Sequence, residues 1–291
     1  MEEKRGIDGF GAAALIGFAI LLAFNQVVIK LTGGGFGPVF QAALRSGIGV
    51  VVLLVWIRIR GLPITLTSGV LYWGAINGVI FALEFVCLYV ALDLTTVSRA
   101  SIIFYSMPVW LALAGHMWLP GERLGGLQVL GLLLAMGGVA LALADRGGGQ
   151  VSLLGDMMAL AGALFWAAIA LVMRLSPLSR VSPENQMLVV VAVSTPVLLG
   201  LSPLFGDLLR DPGWVHLAGL AFQSVFVVSL GYLLWAWLIS VYRAGAVASF
   251  SFLTPVLAVF LGWWMLDEQI GPPVWAALGL VVTGVFLINR R

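Results

Sequence analysis

The sequence predicts an all-α integral membrane protein of ten transmembrane helices, arranged as an inverted five-plus-five repeat. Three observations lead there. First, 61% of the 291 residues are hydrophobic and only 10% are charged. Soluble domains run at about 45–50% apolar and about 25% charged. Second, apolar runs of about twenty residues, the length that spans a bilayer, recur along the whole chain. Third, the second half of the chain resembles the first.

The runs fall at about 11–31, 37–57, 69–91, 97–119 and 125–144, then 153–174, 184–205, 214–238, 246–266 and 272–289. Turn residues and charges mark the breaks, as in TGGGFG, RIRGLP, LPGERLGG and SPLSRVSPEN. No loop is long enough to fold as a domain of its own. The first run, Gly11 to Leu31, exceeds a signal-peptide core of about 7–15 residues and reads as a retained helix. Residues 1–10 form a short polar tail ahead of it.

The repeat is visible when 100–126 is set against 247–273. Pro108 then matches Pro255, Gly115 matches Gly262, and Glu122 matches Glu268 after a one-residue gap. Lys30 and Pro38 likewise match Arg174 and Pro183. The repeats are 11–146 and 147–291. Five is an odd number, so the second copy enters the membrane upside down, a hallmark of secondary transporters.

Lys and Arg set the orientation. With the N-terminus cytoplasmic, ten lie inside: Lys4, Arg5, Arg58, Arg60, Arg123, Arg174, Arg180, Arg243, Arg290 and Arg291. Four lie outside: Lys30, Arg99, Arg146 and Arg210. Both termini are therefore expected in the cytoplasm. The small net charge of +2 gives no reason to expect nucleic acid. One cysteine, Cys87, excludes an internal disulfide and a multi-cysteine metal site. There is no HExxH, GxSxG or GxxxxGK[ST] motif, so no metal, cofactor, enzyme activity or ATP drive is expected. The expected partners are the lipid bilayer and a small-molecule substrate, with the chain a monomer.

Two charges interrupt the apolar runs. At about 1.5 Å per residue, Arg45 lies about 12 Å into the second span and Glu84 about 10 Å into the third, measured from the same side. Intramembrane charges face the bundle interior or water and usually mark function. Their repeat-mates are Val190 and Gly231, so the fold itself does not demand them. The depth match predicts that they touch, either as a structural latch or as groups of a transport cavity.

Two prolines, Pro108 and Pro255, fall near the midpoints of the fourth and ninth spans. A mid-helix proline leaves the carbonyl four residues back without a donor, here those of Phe104 and Ser251. Polar and aromatic residues gather at similar depth. Asn77, Phe81 and Glu84 share a face of the third span, with Tyr105 and Ser106 on the fourth. Phe165 and Trp166 lie on the sixth, Ser224 and Trp235 on the eighth, and Ser251 and Phe252 on the ninth, with Asn25 and Gln26 on the first. These are the candidate substrate-binding residues; Arg45, Pro108 and Pro255 are structural or gating candidates. His116 reads as an interfacial residue, and Lys30 and Arg174 as snorkelling helix-end cations. Asp156 suits the first turn of a helix. Gly131-xxx-Ala135 and Gly279-xxx-Thr283 suit packing of the fifth span on the tenth.

The pieces VIK, ALR, LYVALDLTTVSRAS and LTPVLAVFLGWWMLDE resemble the EamA-type members of the drug/metabolite transporter superfamily over nearly the whole chain. The overall run most resembles the YddG-type amino-acid exporters. The resemblance implies a basket-like bundle with four helices of each half around a central cavity and the fifth and tenth packed at one end. It implies export of a small metabolite, foremost hydrophobic or aromatic amino acids, by alternating access across a bacterial cytoplasmic membrane. Another amphipathic metabolite or drug stays open as cargo, and a membrane enzyme or passive channel as a different class.

Overall fold

The computed structural model describes residues 8–118, 124–145, 152–242, 250 and 252–289. Ser251, with its carbonyl, and Glu122 lie outside the described residues. The first repeat contains α1 (Gly9–Thr32), α2 (Pro38–Ile59), α3 (Ser68–Leu94), α4 (Val97–Phe104), α5 (Met107–Trp118) and α6 (Gly126–Ala144). The second contains α7 (Leu153–Leu175), α8 (Pro183–Leu201), α9 (Trp214–Phe222), a π-helical stretch Gln223–Gly231, α10 (Tyr232–Val241), α11 (Leu253–Leu266) and α12 (Pro272–Asn289). Nine apolar stretches of the described residues are long enough to cross a membrane, and Leu253–Leu266 is a shorter tenth. The ends match the expected spans within a few residues, except that the described part of the ninth, expected from 246, begins at Leu253.

Local chemistry starts and stops these helices. The Asp8 carboxylate accepts from Gly11 N at 2.7 Å at the start of α1. Thr67, Thr96, Ser152 and Ser182 do the same for α3, α4, α7 and α8. Pro38, Pro183 and Pro272 open α2, α8 and α12, where a missing N–H costs nothing. The fourth span breaks as its proline requires. α4 ends at Phe104 and α5 begins at Met107, with Tyr105 and Ser106 between them. Ser106 Oγ donates to Ile103 O at 2.6 Å across the break. Pro255 differs from expectation: it lies in the first turn of α11, which begins only at Leu253.

The two repeats run in opposite senses. α1 ends, and α7 begins, at the end of the bundle that carries Phe36, Thr95 and Glu268. There Gly155 packs on Leu94 and Thr95, and Asp156 pairs with Arg99. α6 and α12 pack as a pair. A side chain at Gly131 would strike the Gly284 carbonyl, and one at Gly138 the Ala277 carbonyl, so two backbones meet closely. Gly131 and Ala135 lie in this interface as expected, but Gly279 and Thr283 do not. Gly279 meets open space and Thr283 is exposed. On α12 the buried stripe is Ala277, Val281, Gly284 and Ile288, half a turn away.

One end of the bundle is sealed. Residues Val97 to Ser106 are all buried, whereas most of the rest of that span, in α5, is only half-buried. The seal is built on Glu268. Asp267 ends α11 in the left-handed conformation, φ 52°, which terminates a helix and turns the chain back. Glu268 therefore folds over the helix end, its N–H bonded to Gly262 O at 3.2 Å. Its carboxylate accepts from Val97 N at 2.5 Å, Ser98 N at 2.9 Å and Ser98 Oγ at 2.6 Å. An anion at the first turn of α4 meets unpaired N–H groups and the positive end of the helix dipole. Gly262 permits the approach, since a methyl group there would strike Glu268 Oε2 and Ser98 Oγ.

Further contacts complete this end. Arg99 grips Asp156 through Nε at 3.4 Å and Nη2 at 2.7 Å, reaches Asp145 at 3.3 Å, and donates to Ala142 O. Lys30 donates to the carbonyls of Leu92 at 2.8 Å and Thr95 at 2.6 Å, capping α3 instead of snorkelling to water. Arg210 forms a bidentate pair with Asp93 and also holds Gly33 O at 3.0 Å. The hydrogen bonds it donates to Asp93 raise the guanidinium pKa above its ordinary value. Beside it Phe36 and Leu209 form a single antiparallel bridge between the repeats.

Glu268→Gln and Gly262→Ala are each expected to lower stability by about 1–3 kcal/mol, the cost of leaving charged-group hydrogen bonds unmade. Asp267→Gly is expected to be neutral or stabilising, because glycine adopts positive φ freely. Thermal unfolding of the detergent-solubilised protein checks all three. Equal melting temperatures for Glu268→Gln and the parent would contradict the role given to Glu268.

Candidate functional site

The site is built from the interior face of α3. Asn77 and Glu84, seven residues apart, point into the bundle and are buried, while Tyr72 and Val79 on the opposite face are exposed. The face between carries an aromatic ladder. Phe81 meets Phe85 at 4.5 Å between ring centroids, and Phe85 meets Tyr89 at 5.9 Å. The expected contact between Arg45 and Glu84 is not made. The Arg45 guanidinium lies over the Phe85 ring, 3.8 Å from its centroid, and 5.6 Å from that of Tyr89. Among the described residues no ion pair joins Arg45 to Glu84. The reason is angular: Glu84 is one residue from Phe85, hence about 100° around the helix.

The break between α4 and α5 sets a second aromatic group beside α7. Trp166 stacks on Phe104 at 5.0 Å and meets Tyr105 edge-on at 5.6 Å. The Tyr105 hydroxyl accepts from Gln26 Nε2 at 3.4 Å. Ser106 turns away to Ile103 O and accepts from Trp110 Nε1 at 3.1 Å.

The sequence reading missed Gln223, which joins three helices. Its Oε1 accepts from Tyr89 OH at 2.6 Å and from Gln41 Nε2 at 3.2 Å. Its Nε2 donates to Thr32 Oγ1 at 3.2 Å. It opens the π-helical stretch, a geometry frequent at functional sites. There Ser229 Oγ bonds Ser224 O at 3.0 Å, and the buried Ser224 bonds Leu220 O at 2.8 Å. The signal was available: Gln41 and Gln223 are lone amides inside apolar runs, as Glu84 is a lone acid.

Other expected members stand apart. Trp235 stacks on Phe18 at 5.3 Å in a satellite cluster with Leu15 and Leu238. Phe252 meets Phe286 edge-on at 6.1 Å. Phe252 still packs against the buried cluster that holds Phe104 and Tyr105, and Phe165 is half-buried with no ring contact among the described residues. His116 is exposed and accepts from Leu124 N at 3.2 Å.

The polar groups of this centre are incompletely satisfied. Asn25 Oδ1, Gln26 Oε1, Gln41 Oε1, Ser46 Oγ, Ser101 Oγ, both amide atoms of Asn77, and Arg45 Nε and Nη2 are buried without a hydrogen-bond partner. A buried polar atom left so costs about 1–3 kcal/mol. Buried polar atoms of this kind, spread along the interior faces of α1 to α4, mark an interior suited to polar matter. A surface concavity of about 640 Å³ lies elsewhere, between the end of α2 and the following loop, lined by Leu54, Val55, Ile57 and Arg58. It is apolar and open, and shares none of these groups.

The chain is similar to known transporters over most of its length. It is 27% identical to "Uncharacterized transporter YvbV" of Bacillus subtilis across 96% of this chain and 92% of that protein. It is 25% identical to the "Probable amino-acid metabolite efflux pump" of Escherichia coli across 99% and 95%. It is 27% identical to "Aromatic amino acid exporter YddG" of Ancylobacter novellus across 86% and 87%. The EamA-like transporter family matches twice, at residues 9–144 and 153–290, on either side of the junction between the repeats. A bundle of apolar helices built from two such repeats, spanning the membrane around a polar interior, makes this chain a member of the EamA-like transporter family.

Proposed function

We propose that the protein exports neutral amino acids with large apolar side chains across the bacterial cytoplasmic membrane, by alternating access. The carrying observation is the buried centre, where the Phe104–Tyr105–Trp166 group lies among unpartnered amide, hydroxyl and guanidinium groups. Aromatic walls with a few fixed polar groups are what a small-molecule site offers. A Tyr or Trp face also attracts an ammonium group by about 0.5–2 kcal/mol. Two relatives named for amino-acid export support the reading. A phosphorylated cargo would want a cluster of cations, and the centre holds only Arg45.

The conformation supports the mechanism. The end carrying Glu268 is closed by Glu268, Arg99, Lys30 and Arg210, while most of α5 is only half-buried. Export then requires the Glu268 end to open as the other closes. The charge asymmetry of the loops supports an extracellular position for that sealed end.

Counterflow into proteoliposomes tests the cargo. Phenylalanine, tryptophan, methionine and leucine are expected to exchange, and glutamate to exchange poorly. Trp166→Ala and Tyr105→Ala are expected to lower phenylalanine exchange by about three- to tenfold at unchanged folded yield. Preferred exchange of glutamate or a nucleotide sugar would overturn the reading. Single cysteines in a Cys87→Ala background test the orientation. With an impermeant thiol reagent on intact cells, Gln269→Cys is expected to label and Arg60→Cys to stay unlabelled; equal labelling would contradict the topology.

A further inference from the structure

Five charged side chains are buried among the described residues: Arg45, Glu84, Arg99, Asp156 and Glu268. Three of them are engaged. Arg99 holds Asp156, and Glu268 holds the first turn of α4. The other two have opposite signs and lie on adjacent helices, α2 and α3. Neither finds an ion pair. Removing a single charge from water without an ion-pair partner costs several kcal/mol, so each is open to a ligand group of opposite charge.

The chemistry of Arg45 specifies what. Its flat face is covered by Phe85, which leaves the edge of the guanidinium as its bonding surface. The two unpartnered nitrogens, Nε and Nη2, form one edge of the fork that matches both oxygens of a carboxylate. Arg99 shows the match in this same protein, where Nε and Nη2 reach Asp156 Oδ1 and Oδ2. Glu84 makes no hydrogen bond among the described residues. It shares its face with Asn77, whose amide oxygen and nitrogen are both buried and unpartnered. Asn77 stands two turns, about 10 Å, along the helix, so Glu84 alone is the acid placed to take an ammonium group.

We infer that Arg45 and Glu84 form a zwitterion clamp, Arg45 taking the carboxylate of an α-amino acid and Glu84 its ammonium group. The inference rests on the amino-acid reading above and deepens it. It also sets a rule of selection. The remaining buried cation, Arg99, is engaged with Asp156, and the half-buried Lys30 with two carbonyls, so a second carboxylate on the cargo meets no cation. Glu268 and Asp156 are likewise engaged, so a second ammonium meets no free acid. One charge of each sign selects neutral amino acids, and the aromatic groups then select among side chains.

The test is equilibrium binding to the full-length protein in detergent, with three probes: L-phenylalanine, 2-phenylethylamine, which lacks the carboxylate, and 3-phenylpropionate, which lacks the ammonium. Phenylalanine is expected to bind at least about tenfold tighter than either analogue, the fold-change that one charge-assisted hydrogen bond carries. Arg45→Gln is expected to weaken phenylalanine to the level of 2-phenylethylamine and leave that amine unchanged. Glu84→Gln is expected to weaken phenylalanine to the level of 3-phenylpropionate and leave that acid unchanged. Arg45→Lys, which keeps the charge without the fork, is expected to fall between. Should a variant fail to fold, the discrimination shown by the parent decides. Equal affinity of the parent for all three probes, or variants that weaken all three alike, would overturn the clamp while leaving the transporter reading standing. No binding of phenylalanine, with saturable binding of a cargo of another class, would instead remove the amino-acid reading itself.

Discussion

Glu268 sits on the first turn of α4, and the order of one whole end of the bundle depends on that contact. The carboxylate comes from the second repeat and the helix from the first, so a single interaction joins the halves across 170 residues of sequence. It also fixes where α4 starts. Arg99, one residue beyond Ser98, is thereby aimed at Asp156 and Asp145, which holds α6 and α7 to the same end. Lys30 closes the carbonyls at the end of α3, and Arg210 fastens Asp93 to the loop after α1. In a hydrocarbon solvent these are the places where backbone groups at helix ends would otherwise go unmet.

The contrast with the centre is the functional point. At the sealed end the buried charges and the helix-end groups around them find partners. At mid-depth the protein holds amides, hydroxyls and two charges, several of which do not. Packing that satisfies groups so thoroughly in one region leaves them unmet in another only where a ligand or water completes the set. The π-helical stretch beginning at Gln223 belongs to the same region, binding α1, α2 and α3 through one side chain. Such a node ties three helices of the first repeat to the second.

Much of the fold was legible because the relevant signals are local. The length of each apolar run, the Ser, Thr and Asp caps, and the prolines at 38, 183 and 272 locate the helices within a few residues. The duplication was legible because Pro108 and Pro255 survive in both copies. What was not legible depended on angle and on distant partners. Depth along the axis placed Arg45 and Glu84 at one level, but depth says nothing of azimuth, and the next residue, Phe85, is the one that faces Arg45. The small-residue spacing on the tenth span pointed to Gly279 and Thr283, whereas the buried face runs through Ala277 and Gly284. Asp267 and Glu268 were visible as a closing motif, but the target of Glu268 lies in the other repeat. Trp235 was gathered into the site by depth alone, and its stacking on Phe18 places it in another contact, while Phe252 meets Phe286 edge-on.

The account stands on one claim: the unsatisfied centre of the bundle is where an amino acid binds. Crystals of the protein grown with L-selenomethionine test it most directly, because selenium marks the apolar end of the cargo by its anomalous scattering. The account predicts a selenium peak against the Tyr105–Trp166 group, with carboxylate density at the Nε–Nη2 edge of Arg45. A selenium peak at the lipid-facing concavity near Leu54 and Arg58, with none in the bundle interior, would contradict it.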